Sequence, residues 1–188
     1  MRKLAILLLM VCGAVASNAQ SRVFTKNGKI RFDATSPSSP EKIAGVNEKA
    51  YSVLDLSTGN LEFMLLMKAF SFEKALMQEH FNENYVESDK FPKATFKGMV
   101  ADIGSVSLQK DGEYTVKVSG KLTIHGVTKD VETMAVLSVR KGTVASAKSS
   151  FKIVLRDYDV VVPSLVKDKV SNEAKIDIDL TYEPVKVG

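Results

Sequence analysis

The sequence predicts an all-β domain, its antiparallel strands closed into a barrel and accompanied by one short helix. Three observations carry this. Residues 113–139 form two long arms of apolar/polar alternation joined at His125-Gly126. Similar alternation recurs before and after them, as in Ile176, Ile178 and Leu180 against Asp177, Asp179 and Thr181. Only residues 72–81 carry helical spacing. Successive strand residues point to opposite faces, so the 113–139 hairpin has one dry face and one wet face. Arms this long suit a barrel wall better than a flat central sheet.

The elements follow in order. Val23–Thr25 is a strand, and Asn27-Gly28 is a strong hairpin-turn signal. Ile30 and Phe32 then share a face, and Ser36-Pro37-Ser38-Ser39-Pro40 is a loop. Lys42–Val46 and Ala50–Leu56 read as two strands, and Ser57–Asn60 as a turn around Gly59. Leu61–Phe70 is apolar on both faces: Leu61, Phe63, Leu65, Met67 and Ala69 on one, Met64, Leu66 and Phe70 on the other. Such a strand is expected to be covered on its outer side, or to line a cavity and pack a helix at once. Phe72–Phe81 is the helix, with Ser71 as its cap and Glu73 near the positive end of its dipole. Phe72, Ala75, Leu76 and His80 fall on its apolar stripe, and Asn82-Glu83-Asn84 ends it. Pro92 biases Phe91 to an extended shape. Strands resume at Ala94–Ile103 and Val106–Gln109, with Asp111-Gly112 as the next turn. In the long hairpin Tyr114, Val116, Val118, Leu122 and Ile124 face one way, joined by Val131, Thr133, Ala135, Leu137 and Val139 from the second arm. Thr143–Leu155 and Lys175–Tyr182 close the chain around an irregular stretch, Asp157–Val170.

Met1-Arg2-Lys3, the uncharged run Leu4–Val11 and Ser17-Asn18-Ala19 have the form of a secretory signal peptide, residues 1–19, cleaved after Ala19. The apolar run is too short to span a bilayer. Cys12, the only cysteine, would leave with it, so neither disulfide nor thiol chemistry is expected in the mature chain. Removing Arg2 and Lys3 leaves 24 basic residues against 22 acidic, interspersed, with no basic patch of the kind nucleic-acid binding requires. The expected address is periplasmic or secreted. No later stretch is long and apolar enough to cross a membrane.

Three segments together resemble a known family. They are Phe91-Pro92-Lys93-Ala94-Thr95-Phe96-Lys97-Gly98, then Gly120-Lys121-Leu122-Thr123-Ile124-His125-Gly126-Val127-Thr128-Lys129-Asp130-Val131, then Phe151-Lys152-Ile153-Val154-Leu155-Arg156-Asp157-Tyr158. Their types and order are similar to the YceI-like exported bacterial proteins, over a single domain at residues 22–183. The chain departs from many members in having no Trp in its first strand, and none anywhere. The resemblance implies a lipocalin-like antiparallel barrel of about eight strands, and in some members an apolar channel holding a polyisoprenoid, such as an isoprenoid quinone or a related amphiphile. The residues in position to line such a channel are Phe63, Leu65, Met67, Phe96, Leu122, Ile124, Leu137 and Ile153, with Phe72 and Leu76 from the helix. The Met- and Phe-rich segment 61–81 favours a cavity, because Met adapts to irregular apolar shapes. The helix, with Phe91, is expected to plug or gate one mouth.

Little points to catalysis. His80 and His125 are the only histidines and lack metal-ligand spacing, so no metal site is expected. His125 is read as a turn residue or surface contact on the wet register; His80 ends the helix, where an imidazolium suits the dipole and a ligand headgroup is within the alternatives. Arg156-Asp157 is read as a rim brace, or a partner for a ligand's polar end. No G-x-S-x-G and no phosphate-cradling glycine loop is present. Catalytic residues and cofactors are therefore expected to be none, apart from a bound isoprenoid lipid or quinone. The leading reading is an exported, non-enzymatic barrel for an amphiphilic lipid, with a homodimer as an open possibility. The rivals are a packed structural module of the cell envelope without ligand, and an enzyme acting on a lipid or small envelope metabolite.

Overall fold

A computed structural model describes residues 21–185; the expected signal peptide and Cys12 lie outside them. Ten strands form one antiparallel sheet: β1 (Arg22–Thr35), β2 (Ala44–Asp55), β3 (Asn60–Leu66), β4 (Ser71–Phe72), β5 (Lys93–Val100), β6 (Gly112–Ile124), β7 (Val127–Arg140), β8 (Thr143–Val154), β9 (Val170–Thr181) and β10 (Glu183–Pro184). The order is β10-β1-β9-β8-β7-β6-β5-β3-β2-β4, and an added β1–β2 pairing closes eight of them into a barrel. Closure removes most of the sheet edges that would otherwise template aggregation. The two-residue strands β4 and β10 pair with β2 and β1 at the margins.

The long hairpin is as the alternation predicts. Thirteen residues of β6 pair in unbroken register with β7, from Gly112↔Val139 to Ile124↔Val127. Its two-residue turn places His125 at φ 50° and Gly126 at φ 76°, the paired positive φ values of a primed turn that matches strand twist.

Elsewhere the structure corrects the sequence reading. Asn27-Gly28 is not a hairpin turn. β1 runs straight through it, with register shifts against β2 on either side of Gly28. A Cβ at Gly28 would sit 2.5 Å from Leu180 and 3.3 Å from the Ala50 side chain, so the glycine serves close packing inside a bulge. The two strands expected at 42–56 are one, β2. The strand expected over 61–70 ends at Leu66, and a 3-10 turn, Met67–Ala69, carries the chain into β4. Its outer face is not covered, since Leu66 stays 48 % exposed.

Ser71 does not cap a helix. Ser71 and Phe72 pair with Val46 and Gly45, so α1 begins only at Ala75 (Ala75–His80) and has no side-chain cap at its N-terminus. It does not stop at Asn82 but continues as a π-helical turn, Phe81–Tyr85. The segment expected as a strand at Val106–Gln109 belongs to a non-strand connection with a 3-10 turn at Ile103–Ser105. Buried Val106, with Ile103 and Leu108 beside it, closes one end of the barrel.

Candidate functional site

Inside the barrel the wall residues enclose a cavity of about 580 Å³, within the usual range of small-molecule sites, about 300–1,000 Å³. Alternation decides which residues reach it. Ile30, Phe32 and Ala34 come from β1; Leu61, Phe63 and Leu65 from β3; Ala94 and Phe96 from β5; Leu122 and Ile124 from β6; Val131 and Ala135 from β7; Phe151 and Ile153 from β8; Ile176 and Ile178 from β9. Ser52 is the polar group of β2 at the wall. It is fully buried and satisfied: its hydroxyl donates to the Glu62 carbonyl at 3.1 Å and receives the Tyr182 hydroxyl at 2.9 Å. Burial pushes the Tyr182 phenol up to about 12, although the Ser52 bond acts against it.

The mouth lies at the end where α1, the 36–43 loop and the 155–170 segment meet. Phe70, Phe72 and Phe81 cluster beneath the helix, with Phe81 at the hub: its ring centroid lies 4.8 Å from Phe72, 5.4 Å from Phe70 and 5.7 Å from Phe32. Phe81 reaches this position from the π-helical turn, an irregularity common at functional sites. Helix α1 itself buries no residue, and Leu76, which borders the cavity, is 61 % exposed. Glu41, Lys74, His80 and Lys169 supply the charged and polar rim. Glu41 and Lys74 are ion-paired; their hydrogen bond holds the carboxyl below and the ammonium above their ordinary values.

Nine of the ten residues expected to line a channel border this cavity: Phe63, Leu65, Met67, Phe72, Leu76, Phe96, Leu122, Ile124 and Ile153. Leu137 does not. It faces inward, but farther along β7 toward the closed end, where it packs at 2 % exposure among core residues that include Val116, Val139 and Val144. Phe70 lines the cavity although the alternation put it on the opposite face, because the 3-10 turn resets the phase. The expectation missed Ile30, Phe32, Ile176 and Ile178, although the same period-2 signal marks them. Phe81 had no such signal.

His125 is not on a wet surface. Its side chain is 9 % exposed, its Nε2 lies 2.8 Å from Glu87 Oε2, and its Nδ1–H donates to the Tyr158 carbonyl at 3.1 Å. Phe91 stacks edge-on against it at 4.5 Å. Arg156 and Asp157 are both exposed, and no ion pair joins them. Among the described residues no group of three or more His, Cys, Asp or Glu is placed to hold a metal ion, and no helix is long and apolar enough to cross a membrane.

A family model for the YceI-like domain matches residues 12–182. The chain belongs to the YceI-like family. No curated protein sequence matches it. Among solved structures it is similar to a polyisoprenoid binding domain from Saccharophagus degradans implicated in plant cell wall breakdown, at 14 % identity and a TM-score of 0.73, over 88 % of this chain and 99 % of that one. It is also similar to BcnA from Burkholderia cenocepacia, at 17 % identity and TM-score 0.63, over 81 % and 94 %. A YCEI protein from Campylobacter jejuni follows at 18 % identity and TM-score 0.57, over 78 % and 87 %. At these identities the likeness concerns the fold: a closed eight-stranded lipocalin-like barrel.

Proposed function

We propose that this YceI-like barrel holds the hydrocarbon chain of a polyisoprenoid-type amphiphile, an isoprenoid quinone or a related lipid, in its central cavity. The observation that carries the reading is the cavity itself: about 580 Å³ inside a closed barrel, walled almost wholly by aliphatic and aromatic side chains. Every apolar methylene moved from water into it contributes roughly 0.8 kcal/mol, so a long branched chain is retained without any covalent step. The rim polar groups Glu41, Lys74, His80 and Lys169 stand where the lipid's polar end would emerge. The family, and the polyisoprenoid binding domain among the similar structures, support the same ligand class. Binding and release are the whole activity in this reading, and His125, already bonded on both ring nitrogens, serves as a structural clasp.

In the same proposal residues 1–19 direct export, and the mature protein works in the periplasm or outside the cell. Protein purified from its own host is expected to start at Gln20 and, in native mass spectrometry, to carry a noncovalent lipid adduct that organic extraction removes. Recovery of ligand-free protein that fails to take up a long-chain polyprenol would overturn the lipid reading.

A further inference from the structure

The barrel wall is not equally sealed all round. β7 and β8 pair only from Arg140↔Thr143 to Ala135↔Ser149. Beyond that point residues 127–134 of β7 pair with β6 alone, and residues 150–154 of β8 with β9 alone. A seam therefore runs from mid-wall to the mouth. The other gap in the wall, where the 3-10 turn interrupts the edge facing β2, is stitched by fully buried Asn47, whose Nδ2 donates to the Leu66 carbonyl at 3.0 Å. The seam's own side-chain stitches lie at its mid-wall end: the Thr133 and Ser149 hydroxyls 3.3 Å apart, and Ser149 donating to the Met134 carbonyl at 2.7 Å.

The cavity reaches this seam. Val131 and Thr133 border it from one edge and Phe151 and Ile153 from the other. So does Lys148, which points outward to an exposed ion pair with Asp179 at 3.3 Å. Met134 and Val154, 53 % and 41 % exposed, give the outer lips an apolar surface. Exposed Lys129, Asp130, Glu132 and Lys152 guard the open edges against pairing with another strand.

Toward the mouth the gap is filled by the chain that follows β8. Leu155, Tyr158 and Val160 are buried there, and Leu155 and Val160 border the cavity. This filler is held by the bond from His125 to the Tyr158 carbonyl, with Glu87 holding the far side of the imidazole. A single side chain thus ties the β6–β7 turn, the filler and the loop behind the lid helix.

Resting on the lipid-binding reading above, we propose that the seam is a side door: the lipid chain enters and leaves between β7 and β8, with residues 155–160 as the leaf and His125 as the latch. Parting β6 from β7 would break an unbroken ladder of thirteen paired residues. Parting the seam breaks no ladder bond and leaves the barrel standing, as expected of the low-stability elements that gate ligand passage. A side door also spares a long chain from threading end-on past the Phe70–Phe72–Phe81 cluster.

The test uses the mature chain with Met134→Cys and Ser150→Cys, two residues on the outer faces of the two seam edges, joined by a cleavable bis-maleimide. The probe is a long-chain polyprenol bearing an anthraniloyl fluorophore, exchanged between protein and phosphatidylcholine vesicles. Cross-linking is expected to slow exchange by about tenfold or more, equivalent to about 1.4 kcal/mol of barrier, to leave equilibrium occupancy unchanged, and to be reversed when the linker is cut. His125→Asn, which keeps a residue tolerant of positive φ at the turn, is expected to speed exchange, and the cross-link to cancel that gain. Full probe binding with the same exchange rate, cross-linked or free, overturns the side door and spares the lipid reading. Failure of the uncross-linked protein to bind any probe overturns both.

Discussion

At one end of the barrel Val23, Leu54, Leu137, Val139 and Val144 are each 2 % exposed or less, and the 101–111 connection closes over them. At the other end Phe63, Phe96, Ile124 and Phe151 are only half-buried although they too point inward, and the helix above them buries no residue of its own. Both ends draw on apolar residues placed by the same alternation. The difference lies in what stands opposite each side chain. Near the closed end opposing walls meet and fill the space; near the mouth they stand apart around the cavity. A single barrel can therefore place its stability in one half and its binding in the other.

The sharpest test of that division is Leu137→Ala. It should cost about 2–5 kcal/mol in urea denaturation, with no change in lipid occupancy per folded molecule. A small cost with altered binding would move Leu137 into the cavity and break the comparison. Next is Asp55→Asn at the β2–β3 turn. The Asp55 carboxylate accepts from the Ser57 hydroxyl, the Ser57 and Thr58 amides and Arg22 Nε. Losing the charge should cost about 1.5–3 kcal/mol. The Ser57 hydroxyl bond first, then Arg22, holds its carboxyl far below the ordinary range. Its contribution is accordingly complete above about pH 4 and fades as the pH falls below that toward the folded-state value. Wild-type stability should drop more steeply than that of the Asn variant on acidification below about pH 4, as followed by circular dichroism.

In the binding half the expected stability effects are smaller. Phe63→Trp and Leu122→Trp should each cost less than about 1 kcal/mol while lowering lipid occupancy; a filled core would instead show the 1–3 kcal/mol of overpacking. Smallest is Leu76→Ser on the exposed face of α1, expected within about 0.5 kcal/mol of wild type in denaturation. It should still hasten lipid loss in a vesicle-exchange assay if α1 covers the mouth.

Local pattern carried far where the structure is regular. The 113–139 hairpin, its His-Gly turn, the inward faces of β1, β3 and β9 and the choice of an all-β barrel are all readable from period-2 alternation and turn chemistry, because a strand residue's face is set by its parity. Parity failed wherever the chain broke step. Asn27-Gly28 has turn composition, yet Gly28 sits against Leu180 and Ala50, residues distant in sequence. Phe70 changed face at a 3-10 turn, and Phe72 went into a ladder with Gly45 instead of a helix. His125 looked like a surface residue because its partners, Glu87 and Tyr158, lie 38 and 33 positions away.

By itself the sequence determined the all-β class, the long 113–139 hairpin, the face of each side chain within an unbroken strand and that the inward set is apolar; these follow from alternation within each strand. Depth along the barrel axis was settled only by tertiary structure. Leu137 and Ala135 share a face on β7, yet Ala135 borders the cavity and Leu137 fills the core. The same holds for the seam. β7 and β8 each read as complete strands, and their separation beyond Ala135 and Ser149 exists only in the way the closed barrel sets one against the other. Parity is a property of one strand, whereas cavity, floor and seam are properties of the distances between strands.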